Sequence, residues 1–440
     1  MKLSDIDAQV VQAELHMQRG EVLQAELLYR RVLDASPGHK SAARALSQLA
    51  LLRGDSARAA ELLSELVRAH PNDAQLALDH AVALAQAERL REAIAVVEAS
   101  LAFNPKHFPS WLLLGHIREA EGDSMGALRA WYQAVTGAQR EGHWKDQNST
   151  PPNLLEPVVH AIERVRAGRR ELLFDVYETL RAQHGASALQ RVDRALSGYL
   201  KEWDSTPVDS RQRPRFFFFP DLPNTPYLDP YLQPWAKRLE ASFAAIREEA
   251  IRVWTEGQRL QDFLELSDSA RLEDYLRGDG VTPAWEAFFF YRHGHRFDAN
   301  HSLCPRTSEV LESIELCRIE EQAPEICFSV LKPRSHIMPH YGVTNVRLVM
   351  HLPLLVPPDC ALNLIDVGEH HWQEGKLMMF DDTFQHEAWN RSDETRIVLL
   401  MDCWNPHLTG VEQLAVKQLI EMISRFHLAD RAPNTPNPTR

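Results

Sequence analysis

Along the first 141 residues, small and bulky apolar positions recur with a period of 34. Ala25, Ala59, Ala93 and Ala127 keep that spacing, and a large side chain follows each after four residues: Tyr29, Leu63, Val97 and Trp131. Four residues is about one helical turn, so each pair lies on one helix face. Pro37, Pro71 and Pro105 share the period, as do Gly20, Gly54 and Gly122, with Glu88 in the remaining slot. Proline blocks helix continuation and glycine permits a tight turn. The pattern predicts four helix–turn–helix units at 6–39, 40–73, 74–107 and 108–141.

A 34-residue unit of this kind carries the tetratricopeptide signature, an all-α solenoid. Such arrays serve as concave surfaces for a peptide or partner, or as packing modules, and carry no chemistry of their own. Residues 139–157 are polar and loop-like, and 157–203 read as helices suited to cap the stack. Ser205–Arg213 is a second polar linker. The expected organisation is therefore repeats over 1–141, a helical capping and linking region over 142–210, a second domain over 211–428, and a disordered Pro- and Asn-rich tail over 429–440.

In the second domain the period changes. An extended segment opens at Arg215-Phe-Phe-Phe-Phe-Pro220, and a helix spans 232–256. Residues 260–276 are mixed and acidic. Strand-like runs cover 285–291, 326–332, 347–355, 361–366, 376–380 and 396–404, with helices at 306–316 and 410–427.

Composition narrows the class. The chain has 440 residues, 44% hydrophobic and 25% charged, ordinary for a globular protein of two or three domains. A net charge of −13 counts against a general nucleic-acid binder, which needs a basic face. No run of 18 apolar residues predicts a membrane span, and the start MKLSDIDAQV lacks a signal-peptide core. The five cysteines form no CxxC pair and read as reduced thiols of a cytoplasmic protein.

The chemistry concentrates between Ser329 and Asn405. His340 follows a Pro, His386 sits in FDDTFQHEAWN, and Arg396 opens the apolar run RIVLLMDCW. Histidines beside separate strands can meet across a barrel. Neutral imidazoles suit iron, copper, nickel and zinc. Arg pairs bidentately with carboxylates, and a buried one needs an anion. This set suggests a non-haem iron site beside a pocket for a dicarboxylic co-substrate. The usual third ligand is a carboxylate two residues after the first His, but that position is Gly342. Either waters complete the site or Asp382 reaches it, directly or through water; Asp381 and Asp382 could equally shape the turn. His336 rivals His340 and, on a regular strand, would share its face.

The segments PHYGVTNVRL (339–348), HLPL (351–354), EGK (374–376) and FDDTFQHEAWN (380–390), with the Arg396 strand, resemble the aspartyl/asparaginyl β-hydroxylase family. That family is a branch of the 2-oxoglutarate-dependent oxygenases on a double-stranded β-helix, or jelly roll. The resemblance covers roughly 200 residues, strongly from Ser329. It implies His340 and His386 as Fe(II) ligands without a third carboxylate ligand, which Gly342 fits. It implies Arg396 and Ser329 for the distal carboxylate of 2-oxoglutarate, and His351 near its other end. Val349 stands where animal members often carry Arg; Arg347, on the same strand face, is the candidate to take over that residue's part in binding the 1-carboxylate of 2-oxoglutarate.

The expected fold class is thus multidomain α + β: a tetratricopeptide solenoid followed by a double-stranded β-helix oxygenase domain. The implied cofactors are Fe(II), 2-oxoglutarate and O2, and the expected reaction is β-hydroxylation of aspartyl or asparaginyl residues in a protein or peptide brought by the repeats. Alternatives are a hydroxylase of a carrier-bound amino acid or a lipid acyl chain, an inactive scaffold, or a zinc-dependent cupin-type hydrolase or isomerase.

Overall fold

The computed structural model describes residues 3–257, 259–264 and 273–428. The tail 429–440, expected to be disordered, lies outside them. The described residues divide into two compact units between Arg170 and Glu171. Among them no helix is long and apolar enough to cross a membrane.

The first unit opens with eight helices in four pairs: α1 Leu3–Gln18 and α2 Val22–Ala35, α3 Lys40–Leu52 and α4 Ser56–Ala69, α5 Ala74–Gln86 and α6 Leu90–Phe103, α7 Phe108–Ala120 and α8 Ser124–Arg140. The periodic alanines and the bulky residues four positions on are all buried. Alanine at these places lets neighbouring helices approach, and the larger side chains fill the space between. Gly20, Gly54 and Gly122 take φ of +77°, +79° and +85°, and Glu88, in the fourth slot, is held at +59°. The turn thus demands a left-handed residue in every repeat, and the third meets it without glycine. Asp55, Asp73 and Asp123 cap α4, α5 and α8 by accepting from the N–H three residues on.

The stretch 142–210 divides between the two units. α9, Leu155–Asp175, lays Gly168 against the Leu128 side chain of α8. α10 (Glu178–His184) and α11 (Gln190–Tyr199) instead bury Leu180, Val192 and Leu196 with Phe217, Phe219 and the C-terminal helix Gly410–Leu428. Their apolar faces find aromatic partners there.

The second unit is built on two antiparallel sheets. Its strands are β1 Tyr227–Leu228, β2 Gln261–Asp262, β3 Leu276–Gly278, β4 Trp285–Arg292, β5 His295–Arg296, β6 Ile326–Leu331, β7 Ser335–His340, β8 Arg347–Leu355, β9 Cys360–Leu364, β10 Gly368–His370, β11 Met378–Phe380, β12 His386–Asn390 and β13 Arg396–Trp404. The larger sheet runs β1-β11-β8-β13-β6-β4-β2, with β5 on β4, and the smaller runs β10-β9-β12-β7-β3. From β6 to β13 the chain crosses from sheet to sheet at every step except the β9–β10 hairpin, giving β11-β8-β13-β6 facing β10-β9-β12-β7, a double-sheet jelly roll.

The large sheet is buried on both faces. Leu348, Met350, Leu352 and Leu354 of β8, with Ile397, Leu399, Met401 and Cys403 of β13, pack against α12 (Ala236–Ala241) and α13 (Phe243–Thr255). Residues of opposite parity therefore point between the sheets. The patterning predicts neither β7 nor β12, which are short, polar and, in β7, interrupted by Pro339. All five cysteines are buried and unpaired.

In α7, a Cβ on Gly115 would run into the Trp131 ring. Gly115→Ala should therefore destabilise the chain by about 1–3 kcal/mol through overpacking, although in an open helix it would add about 1 kcal/mol. Glu88→Gly should gain about 0.5–1 kcal/mol by relieving the left-handed residue. Urea denaturation followed by circular dichroism reads both signs.

Candidate active site

β7 and β12 are neighbours, and His386 pairs directly with His340, the ring centroids 4.1 Å apart. The register then shifts, so that Ala388 faces Ile337. This bulge breaks the alternation. His340 and Ile337 both line the inner cavity, whereas His336 points away from it and meets Glu387 Oε2 at 2.7 Å. The expectation that His336 and His340 share a face fails for that reason.

Both imidazoles are oriented alike. His340 Nδ1 lies 2.8 Å from the Met338 carbonyl, and His386 Nδ1 lies 3.0 Å from that of Phe384. A carbonyl only accepts, so each Nδ1 carries the proton and each Nε2 keeps its lone pair. Burial holds both rings below the ordinary histidine range, most strongly His386, which also feels His340. The pair is therefore neutral, the state in which imidazole binds a metal.

Asp382 comes to the place where residue 342 has no side chain. A Cβ on Gly342 would fall on the Asp382 carboxyl group. The two backbones are tied as well, Gly342 N–H donating to the Asp382 carbonyl at 2.6 Å. Asp382 Oδ1 is buried without a partner. Burial pushes this carboxyl up to about 8, against the pull of Arg347. The neighbouring Asp381 does the turn-shaping work: its Oδ1 accepts from Thr383 N at 2.9 Å and its Oδ2 from Gln212 Nε2 at 2.8 Å. Two imidazoles and a buried, unsatisfied carboxyl suit iron in their donor atoms.

The remaining four residues line the same cavity, about 650 Å³ in volume. Arg396 is 2% exposed, its Nε has no hydrogen-bond partner, and its guanidinium lies 5.1 Å from the Trp372 ring. Burial alone lowers it to about 10, and no acid is among the groups that hold its charge. Ser329 Oγ, one strand over, accepts from Trp285 Nε1 at 2.9 Å. His351 is buried with both ring nitrogens unpartnered and, desolvated and near Arg396, is pushed down to about 3. Arg347 also faces the cavity, but Asp402 engages its guanidinium, and the same Asp402 oxygen accepts from Glu325 N at 2.8 Å. Arg396 and Asp402 are six residues apart on β13, roughly 20 Å by strand rise. One end of the cavity thus holds an unpaired cation and the other a neutralised one.

Sequence reasoning missed Trp285, Trp372, Asp402 and Glu325. Trp285 and Trp372 had no motif to mark them. Asp402 shares the parity of Arg396 on an otherwise apolar strand, a signal readable in the sequence. Burial pushes the Glu325 carboxyl up to about 7.

The family model of aspartyl/asparaginyl beta-hydroxylase matches residues 240–406, and tetratricopeptide models match 10–74 and 50–117. Mouse aspartate beta-hydroxylase domain-containing protein 2 is 30% identical over 253 residues, 57% of this chain and 70% of that one. The ornithine lipid ester-linked acyl 2-hydroxylase of Rhizobium tropici is 33% identical over 187 residues, 42% of this chain and 62% of that one. Human aspartyl/asparaginyl beta-hydroxylase is 32% identical over 177 residues, 39% of this chain and 21% of that one.

Gly342→Ala should cost about 1–3 kcal/mol of stability, and Asp382→Ala in the same chain should relieve most of that, a coupling read by a double-mutant cycle in urea. Arg396→Met, which removes an unpaired buried cation, should stabilise the ligand-free chain by about 1–4 kcal/mol, read by thermal denaturation.

Proposed function

Because the chain belongs to the aspartyl/asparaginyl β-hydroxylase family, we propose that it is an Fe(II)- and 2-oxoglutarate-dependent dioxygenase that hydroxylates the β-carbon of an aspartyl or asparaginyl residue in a protein or peptide recruited by its repeats. The observation that carries this reading is the buried, unpaired Arg396 in the same cavity as the neutral His340–His386 pair. A fixed cation with no acid beside it is a site waiting for an anion.

His340 and His386 would hold the metal through Nε2, with Asp382 beside Gly342 positioning a water. When bound, Fe(II) supplies the redox chemistry that couples decarboxylation of 2-oxoglutarate, to succinate and CO2, with hydroxylation of a C–H bond. Arg396 would take the distal carboxylate in a bidentate pair, with the Ser329 hydroxyl as a further partner. His351, neutral and unpartnered, would donate toward the other end of the same molecule. The apolar walls, among them Leu362, Trp372, Phe380 and Ala388, keep bulk water from the reacting carbon.

A second reading, hydroxylation of an acyl chain, has its own support. Asp402 neutralises Arg347, the residue that would otherwise attract an acidic side chain at the far end. The R. tropici relative named for a lipid acyl hydroxylation matches this chain at 33% identity.

The test is anaerobic loading with Fe(II) and 2-oxoglutarate, admission of O2, and measurement of succinate. Wild-type chain should release succinate, and His340→Ala and His386→Ala should fall to background. Peptides with central Asp or Asn should raise the yield and gain 16 Da. Absence of succinate with every peptide and acyl substrate would contradict the assignment.

A further inference from the structure

The first unit holds a second cluster of metal-binding side chains, distinct from the barrel. His116 and Glu119 are three residues apart on α7 and share a face. His160 reaches them from α9. The candidate donor atoms of the three residues all lie within 4.8 Å of one another. His160 Nε2 is 3.1 Å from Glu119 Oε2. Two ligands about 2.0–2.1 Å from a tetrahedral zinc stand roughly 3.3 Å apart, so this pair is already spaced for one ion.

The second imidazole is prepared in the manner of a ligand. The His116 Nε2 is buried with no partner. A metal-binding histidine needs one such ring nitrogen with no protein partner, so that its lone pair can meet the ion. The two rings lie 5.4 Å apart, inclined by 31°, and both stand edge-on to Trp131 at 5.4 and 5.3 Å. Trp131 is the buried residue of the fourth repeat, so the cluster rests on a rigid wall. Glu119 Oε1 is occupied by Arg164 Nε at 2.9 Å, which leaves Oε2 for the ion. The side chains of His160 and Glu119 are 43% and 32% exposed, so a fourth position is open to water.

We infer that His116, Glu119 and His160 form a binding site for a divalent transition-metal ion, zinc by preference, that fastens α9 to α7 at the end of the repeat stack. Two imidazoles and one carboxylate with an open fourth position is a donor set that zinc accepts. The ordinary alternative is a cluster in which Arg164 and His160 pair with Glu119 and no ion enters.

The experiment uses untagged full-length chain carrying His340→Ala and His386→Ala, so that the barrel pair cannot contribute. It is equilibrated with Zn2+, desalted, and its metal counted by mass spectrometry. The site predicts one equivalent per chain, lost when His160→Gln or His116→Gln is added. His160→Gln alters a half-exposed side chain, and circular dichroism confirms that its helices remain. On chain with an intact barrel the same comparison reads a difference of one equivalent. Co2+ gives a second reading: a d–d absorption band that disappears in Glu119→Gln. Zinc absent from the parent, or retained equally after His160→Gln, would overturn the site, as would a Co2+ spectrum indifferent to Glu119.

Discussion

The pairing of β7 with β12 sets His386 directly opposite His340, and the rest of the site is arranged around that register. Side chains alternate along a strand, so a one-residue slip would turn one imidazole out of the cavity. Two devices hold the register. A bulge just past the pair turns His340 inward while His336 stays out. The segment around Arg213–Phe217 runs beside the turns next to both histidines, Arg213 N donating to the Thr383 carbonyl at 2.7 Å and Arg215 N to that of Gly342 at 3.1 Å. The chain just before the four-phenylalanine stretch thus ties together the turns beside His340 and His386.

Within that frame, the missing side chain at Gly342 and the buried carboxyl of Asp382 are two halves of one feature. Glycine leaves room, and a carboxylate from the facing turn fills it. Its partnerless oxygen and the lone, buried Arg396 both cost stability. Unsatisfied polar groups of that kind persist where a ligand completes them. Arg347 provides the contrast, since Asp402 already satisfies it.

Much of this was legible from residue order. The 34-residue period located all eight helices, and even Glu88, the one break in the glycine series, proved to hold the same left-handed turn. The long strands of the large sheet announced themselves because both their faces are apolar, and Arg396 stood out on one of them, whereas Arg347 and His351 were marked only by the family resemblance. β7 and β12 did not, because strands that turn histidines into a cavity are polar where a core strand is apolar. The bulge that separates His336 from His340 depends on cross-strand pairing, which no local pattern encodes. The sorting of α10 and α11 onto the second unit likewise depends on partners distant in sequence, Phe217 and the C-terminal helix.

The measurement that tests the account most directly is anaerobic calorimetry of 2-oxoglutarate against the chain loaded with Mn2+, a redox-silent stand-in for Fe(II), and against the metal-free chain. The account predicts that the metal and the dicarboxylate strengthen each other's binding by the same factor, as linkage requires, and that Arg396→Met removes 2-oxoglutarate binding while leaving Mn2+ bound. Binding of 2-oxoglutarate that is indifferent both to the metal and to Arg396 would contradict it.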